Sequence, residues 1–137
     1  MPERAERLAR TSGTVLAFDF GLKRIGVAVG EAELRTAHPL PAVGNFDQIA
    51  KLVSEWRPAA LVVGVPVAER GLHPFAKRVE RFARQLKGRY RLPVSLVDER
   101  FTSVEAESRL KGLKRKPIDS VAAQLILEQY FHDRQPA

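Results

Sequence analysis

The 137-residue chain contains no cysteine. That excludes disulfides and any zinc site built on thiolates, and it fits a reducing compartment. Aromatic residues are few, seven phenylalanines, two tyrosines and one tryptophan. A platform of rings stacking on many bases is therefore not expected, and recognition of backbone and shape is. No apolar stretch reaches the ~20 residues needed to cross a bilayer. The first 13 residues alternate charges around short apolar steps and show no apolar signal region. They read as a flexible lead-in, with residues 133–137 as a tail and one domain between 14 and 132; the expected location is the cytoplasm. Acidic residues are outnumbered, 16 against 23 Lys and Arg, for a net charge of +7. Such a balance favours an anionic partner, most often nucleic acid, although net charge also serves solubility. No internal repeat, low-complexity tract or linker is present.

What is present starts with Val15 to Gly30, VLAFDFGLKRIGVAVG. Val15 to Phe18 is an apolar run suited to a strand buried on both faces. Asp19 interrupts it, and a buried carboxylate without compensation costs several kcal/mol, roughly, as a desolvated charge. A cation is the usual compensation, while a turn-capping role is the plain alternative. Residues 20–24 form a basic turn, in which Gly21 is expected to be free to take positive φ. Ile25 to Val29 returns as a second strand. A third strand is expected around Leu34 to Ala37, before the Pro39-Leu40-Pro41 break. Phe46 to Trp56 carries Phe46, Ile49, Ala50, Val53 and Trp56 at helical spacing, and Pro58 stops it.

Ala59 to Val65 is a second apolar run, closed by Pro66, and predicts a central strand. A loop over 67–73 leads to a helix opened by Pro74, with Phe75, Val79, Phe82, Ala83 and Leu86 on its apolar stripe. Its outer side is basic, with Lys77, Arg78, Arg81, Arg84 and Lys87; charge runs on helices are usually solvated faces, and this one is read so. Pro93 to Val97 predicts the last strand, running into Asp98-Glu99-Arg100. Thr102 and Glu105 form a capping box for a short helix to about Leu110. A basic loop follows, with Lys111, Lys114, Arg115 and Lys116. The final helix, Ile118 to about Phe131, is expected to bury Ile118, Val121, Ala122, Leu125, Ile126 and Tyr130. The whole is an α/β fold. An antiparallel beginning and helix-linked parallel strands give a mixed sheet with helices on both faces.

Asp19, the pair Asp98 and Glu99, and Asp119 all fall at element ends. If the first and last strands run parallel, their carboxylates share one edge of the sheet, where sites of such folds gather. Converging carboxylates repel and require a cation, and oxygen donors suit Mg²⁺ or Mn²⁺. Such ions orient a water and stabilise the leaving oxygen in phosphodiester cleavage. Lys23, Arg24, Arg100 and the 111–116 loop would then contact phosphates. Each acid has a plain alternative, Asp119 at a helix N-terminus and Asp98 paired with Arg100. His38, His73 and His132 have no ligand spacing and are read as surface or core residues.

Four segments, D-F-G-L-K-R-I-G-V-A-V (19–29), L-V-V-G-V-P (61–66), V-D-E-R-F-T-S-V-E-A-E (97–107) and I-D-S-V-A-A-Q-L-I-L (118–127), together resemble the YqgF/RuvX family. These are bacterial proteins described as pre-16S ribosomal RNA nucleases or as Holliday-junction-resolvase-like proteins. The resemblance implies a ribonuclease H-like fold, a five-stranded mixed sheet whose first three strands are antiparallel. It implies a metal-dependent nuclease, using Mg²⁺ or Mn²⁺, with Asp19, Glu99 and Asp119 as catalytic and metal-binding acids. Glu99 is preferred to Asp98 for its longer reach, with Asp98 as an additional acid. Arg100 and Thr102 belong to the same motif and would organise the site or touch phosphate. One departure stands out: relatives carry a Met-Asp-Gly-Thr-like loop where this chain has residues 68–72, and only Gly71 of it survives. Glu69 is the one acid near that strand.

Three readings follow for function: a nuclease maturing the pre-16S ribosomal RNA end during ribosome biogenesis, a nuclease of branched DNA, or a non-catalytic RNA-binding assembly factor. The expected partner is nucleic acid, with no membrane, and the protein is expected to be a monomer or weak homodimer. A fourth reading, Asp19-x-Gly21 as the phosphate hairpin of an actin-like ATPase, requires a second domain for which this chain is too short.

Overall fold

The computed structural model describes residues 13–68, 71–72, 74–99 and 118–134; at 67, 68, 71, 72, 118 and 119 it describes the backbone alone. Five strands form the main sheet: β1 (Thr14–Phe20), β2 (Ile25–Glu31), β3 (His38–Val43), β4 (Ala60–Val65) and β7 (Val94–Asp98). Their spatial order is β3-β2-β1-β4-β7. β2 pairs antiparallel with both β1 and β3, and β4 runs parallel to both β1 and β7. The apolar runs explain the middle of that order. β2 and β4 are buried through almost their whole length and β1 from Val15 to Phe18, as strands covered on both faces must be.

Side-chain alternation divides the interior into two layers. On one face Leu16, Phe18, Val27, Leu61 and Val63 pack under helix α1 (Phe46–Trp56) and helix α2 (Ala76–Tyr90). On the other, Val15, Ala17, Ala28, Val62 and Val97 pack under helix α3 (Ile118–Asp133). The first layer is held by a phenylalanine cluster. Phe82 of α2 lies 6.0 Å from Phe18, 4.8 Å from Phe20 and 5.9 Å from Phe46, ring centre to ring centre. Phe20 in turn stacks on Phe75 at 5.7 Å.

Helix α1 keeps its expected limits. Asn45 caps its start, its side chain accepting the Gln48 N–H at 2.9 Å. At the other end Arg57, at φ 44°, turns the chain out and donates its N–H to Val53 O. Ala50 proves exposed, and Leu52 joins Val53 and Trp56 against the core in its place.

Several sequence expectations are corrected. The third strand lies at His38–Val43 rather than 34–37, where the chain is turning and Arg35 sits at φ 53°. Pro39 and Pro41 do not break it because β3 is an edge strand, where a missing N–H costs no ladder bond. Gly21 does not take a positive φ; it is needed because a Cβ there would lie 2.6 Å from the Arg24 carbonyl oxygen across the turn. The 67–73 loop contains a two-residue ladder, β5 (Val67–Ala68) with β6 (Gly71–Leu72). In α3 the buried set is Ser120, Val121, Ala123, Ile126, Leu127, Tyr130 and Phe131, while Ala122 and Leu125 are only half-buried. This helix is apolar on more than one side, so no single stripe marks its inner face. The helix expected over 102–110 and the 111–116 loop lie outside the described residues.

Candidate active site

The site is built by strand alternation at the ends of three parallel strands. Val15 and Ala17 face α3, so Asp19, two further along β1, belongs to the same face. It is half-buried. On its antiparallel side Asp19 pairs with Gly26 of β2. On its parallel side the register runs from Val15 opposite Ala60 to Phe18 opposite Val63, and the next step sets Asp19 beside Gly64. A carboxylate at the end of a core strand is thus flanked by two residues without side chains.

Glu99 reaches the same place from the other side. β7 continues one residue beyond its strand, and the Glu99 N–H donates to Val65 O at 3.0 Å. Val97 belongs to the layer under α3, and Glu99 follows it by two. The Glu99 carboxylate leans back over β4: its Oε1 lies 3.0 Å from where a Cβ on Gly64 would stand. Gly64 is therefore the saddle between the two acids, with Ile126 of α3 closing over it. Asp98 has the opposite parity. It is exposed, in register with Val65, whose side chain belongs to the layer under α1 and α2.

The third acid is placed through the backbone of α3. The Ser120 hydroxyl donates to the Leu40 carbonyl, which anchors the start of the helix over β3. Leu40 pairs with Val27, and Val27 with Phe18, so this anchor stands level with the end of β1. Position 119 precedes it on the backbone of α3. The side chain of Asp119 lies outside the described residues, as do Glu69, Arg100, Thr102, Lys111, Lys114, Arg115 and Lys116 in full. Lys23 and Arg24 are exposed in the turn directly after Asp19. His38 and His132 are both exposed and away from this edge.

Among the described side chains, no three His, Cys, Asp or Glu groups gather closely enough to hold a metal ion. Asp19 and Glu99, which the strand register and the lean of Glu99 set about Gly64, are oxygen donors at the end of a sheet. That donor chemistry fits Mg²⁺ or Mn²⁺, which bind few carboxylates and complete their shell with water and phosphate oxygens.

Sequence reasoning missed the two glycines. Gly26 and Gly64 each stand alone inside an apolar strand, and an isolated strand glycine marks a close approach of something to the backbone. That signal was available for both.

The family model for RuvX, described as Holliday junction resolvase, matches residues 13–133. The chain belongs to the RuvX family. A relative from Nitrosomonas europaea, named "Putative pre-16S rRNA nuclease", is 50% identical over 134 aligned positions, covering 88% of this chain and 90% of the relative. A protein of the same name from Dechloromonas aromatica is 49% identical over 132 positions, covering 87% and 90% respectively. Among solved structures, Thermus thermophilus RuvC in complex with a Holliday junction substrate superposes with a TM-score of 0.59. It covers 88% of this chain and 95% of that one, at 17% identity. The RuvX chain therefore has the ribonuclease H-like fold of RuvC, as its four motifs led one to expect, and belongs to a nuclease family.

Proposed function

We propose that this RuvX protein is a divalent-metal-dependent nuclease that trims the precursor of 16S ribosomal RNA in the cytoplasm. Asp19, Glu99 and Asp119 form its acidic set, and Asp98 stands outside it. The observation that carries this reading is the convergence of Asp19 and Glu99 over Gly64, on one face and at one end of the sheet. The names of the relatives support the substrate.

Bound Mg²⁺ or Mn²⁺ would lower the pKa of a water for attack on phosphorus and stabilise the oxygen that leaves. The chain's own residues hold and orient. Asp19 and Glu99 supply negative oxygens from two strands that both pair with β4. Ile126 over Gly64 excludes water from the sheet side of Glu99. Lys23 and Arg24, at the exposed turn, meet the phosphates flanking the scissile bond. Arg100, Thr102 and the basic residues 111, 114, 115 and 116 belong to the same phosphate-contacting set.

The deciding experiment is cleavage of a labelled 16S precursor fragment and of a four-way DNA junction with Mg²⁺, Mn²⁺ or chelator. Wild type is expected to cut the RNA with metal only, and Asp19→Asn to lose cutting by at least about 100-fold, the usual scale for a lost electrostatic contact. Equal cutting by Asp19→Asn would reject the acidic set. A second reading, branched DNA as substrate, is favoured by the shared fold with RuvC; preference for the junction over the RNA would establish it. Intact RNA binding without cutting by wild type would establish a non-catalytic assembly factor.

A further inference from the structure

Helix α2 carries far more positive charge than its length accounts for. Its 15 residues, AKRVERFARQLKGRY, hold six basic residues against one acidic, a net +5 of the chain's +7. Arg91 adds another cation at its C-terminal end. Ala76, Val79, Phe82, Ala83 and Leu86 are buried, and opposite them lies an outermost row of Lys77, Arg81, Arg84, Gly88 and Arg91. Lys77, Arg78, Arg81, Arg84, Lys87 and Arg91 are all exposed. Among the described residues none of them forms a salt bridge. Only Arg89 is engaged otherwise, lying 3.9 Å over the Phe46 ring.

That arrangement carries a cost. Like charges three and four apart, such as Lys77 with Arg81 and Arg81 with Arg84, each destabilise a helix by about 0.2–0.5 kcal/mol. Gly88 adds about 1 kcal/mol relative to alanine in a helix interior. No packing requires this glycine, because a Cβ there would meet nothing within 4 Å. A bare, open step between two arginines instead lets a ligand backbone come close.

The position of the row indicates its occupant. Phe75, just before the helix, stacks on Phe20, the residue after Asp19. The row therefore begins at the sheet end that holds Asp19 and Glu99, and leads away on the opposite face. From Lys77 to Arg91 it runs about 21 Å at ~1.5 Å per residue. That length spans several successive phosphates of one strand.

We infer that the outer row of α2 is a phosphate track. It grips the nucleic-acid backbone beyond the cleavage point as the strand passes around the sheet end. This rests on the nucleic-acid reading above, and it reverses the sequence expectation of a merely solvated face.

The test compares Lys77→Gln/Arg81→Gln/Arg84→Gln with Arg35→Gln/Lys51→Gln/Arg57→Gln, which removes equal charge from exposed positions elsewhere. Binding is measured in chelator by fluorescence anisotropy across a salt series. The probes are an RNA hairpin that extends past the site and an oligonucleotide too short to do so. Each lost phosphate contact lowers the salt slope by about 0.7–0.9. The α2 variant is thus expected to lose about 2–3 units of slope and at least about tenfold in affinity at low salt on the hairpin. The short oligonucleotide should be unaffected, as should the control variant on both probes. Circular dichroism confirms that each variant is folded. Wild-type slope and affinity in the α2 variant, or an equal loss in the control, would overturn the track. The two readings separate cleanly. An unchanged α2 variant beside an inactive Asp19→Asn removes the track and leaves the nuclease. A weakened α2 variant beside a fully active Asp19→Asn does the reverse.

Discussion

The adjacent acids Asp98 and Glu99 occupy opposite faces of the sheet, and the proposed site turns on that difference. Glu99 stands over Gly64 beside Asp19, whereas Asp98 is exposed on the side of α1 and α2. Glu99→Gln is therefore expected to lower cleavage of the RNA precursor by about 100-fold or more. Asp98→Asn should stay within about twofold, since surface substitutions away from such features change little. A larger loss for Asp98→Asn in the same assay would contradict the assignment by alternation. Gly64 allows a second test. A Cβ there would overlap the Ile126 side chain and press on Glu99 Oε1. Gly64→Ala should cost about 1–3 kcal/mol as overpacking of a tight core, read from urea unfolding. It should also depress activity beyond what the stability loss explains, because Glu99 is displaced. Unchanged stability would mean that Ile126 yields freely. At this scale the sequence was partly legible. Asp19 announced itself by interrupting an apolar run. The choice between Asp98 and Glu99 was reached through side-chain reach. The physical ground lies in strand parity, which depends on where β7 starts and ends, and strand limits are poorly marked by composition.

Elements were legible where an apolar pattern met a clear stop. Helix α1 was legible from its apolar spacing and the stop at Pro58, and β4 from its own apolar run. The expectation failed where tertiary position overrode local signals. Pro39 and Pro41 read as a break but sit in an edge strand, and α3 has no single inner stripe because several of its sides are covered. The element that ties the first layer together is α2, through one residue. Phe82 meets Phe18, Phe20 and Phe46 within 6.0 Å and is 2% exposed. Phe82→Ala is expected to cost about 3–5 kcal/mol, measured by chemical denaturation, as for other buried aromatics cut to alanine. Because Phe20 follows Asp19 directly, the same variant should loosen the end of β1. A loss under about 1 kcal/mol would show that α2 is held by its other contacts instead.

For the molecule as a whole, the layered fold could be read from the order of elements, since parallel neighbours need covered crossovers. The spatial order β3-β2-β1-β4-β7 could not, because it depends on which strand each crossover returns to. That order is what brings one acid from the first strand and one from the last to either side of β4. The convergence has a thermodynamic consequence. Two carboxylates set on either side of one glycine offer a cation oxygen donors that the unfolded chain does not bring together, so a bound cation stabilises the fold. A ligand specific to the folded state adds RT ln(1 + [L]/Kd), about 1.4 kcal/mol at ten times its Kd. Mg²⁺ or Mn²⁺ is therefore expected to raise the melting temperature of wild type by several degrees, about 3–4 °C per kcal/mol for a domain of this size. Asp19→Asn removes one of those donors. Added metal should then leave the variant where it is. Equal stabilisation of both proteins by metal would place the ion elsewhere on the molecule. No stabilisation of wild type would separate the two carboxylates from any ion and leave Asp19 as the cap of its turn.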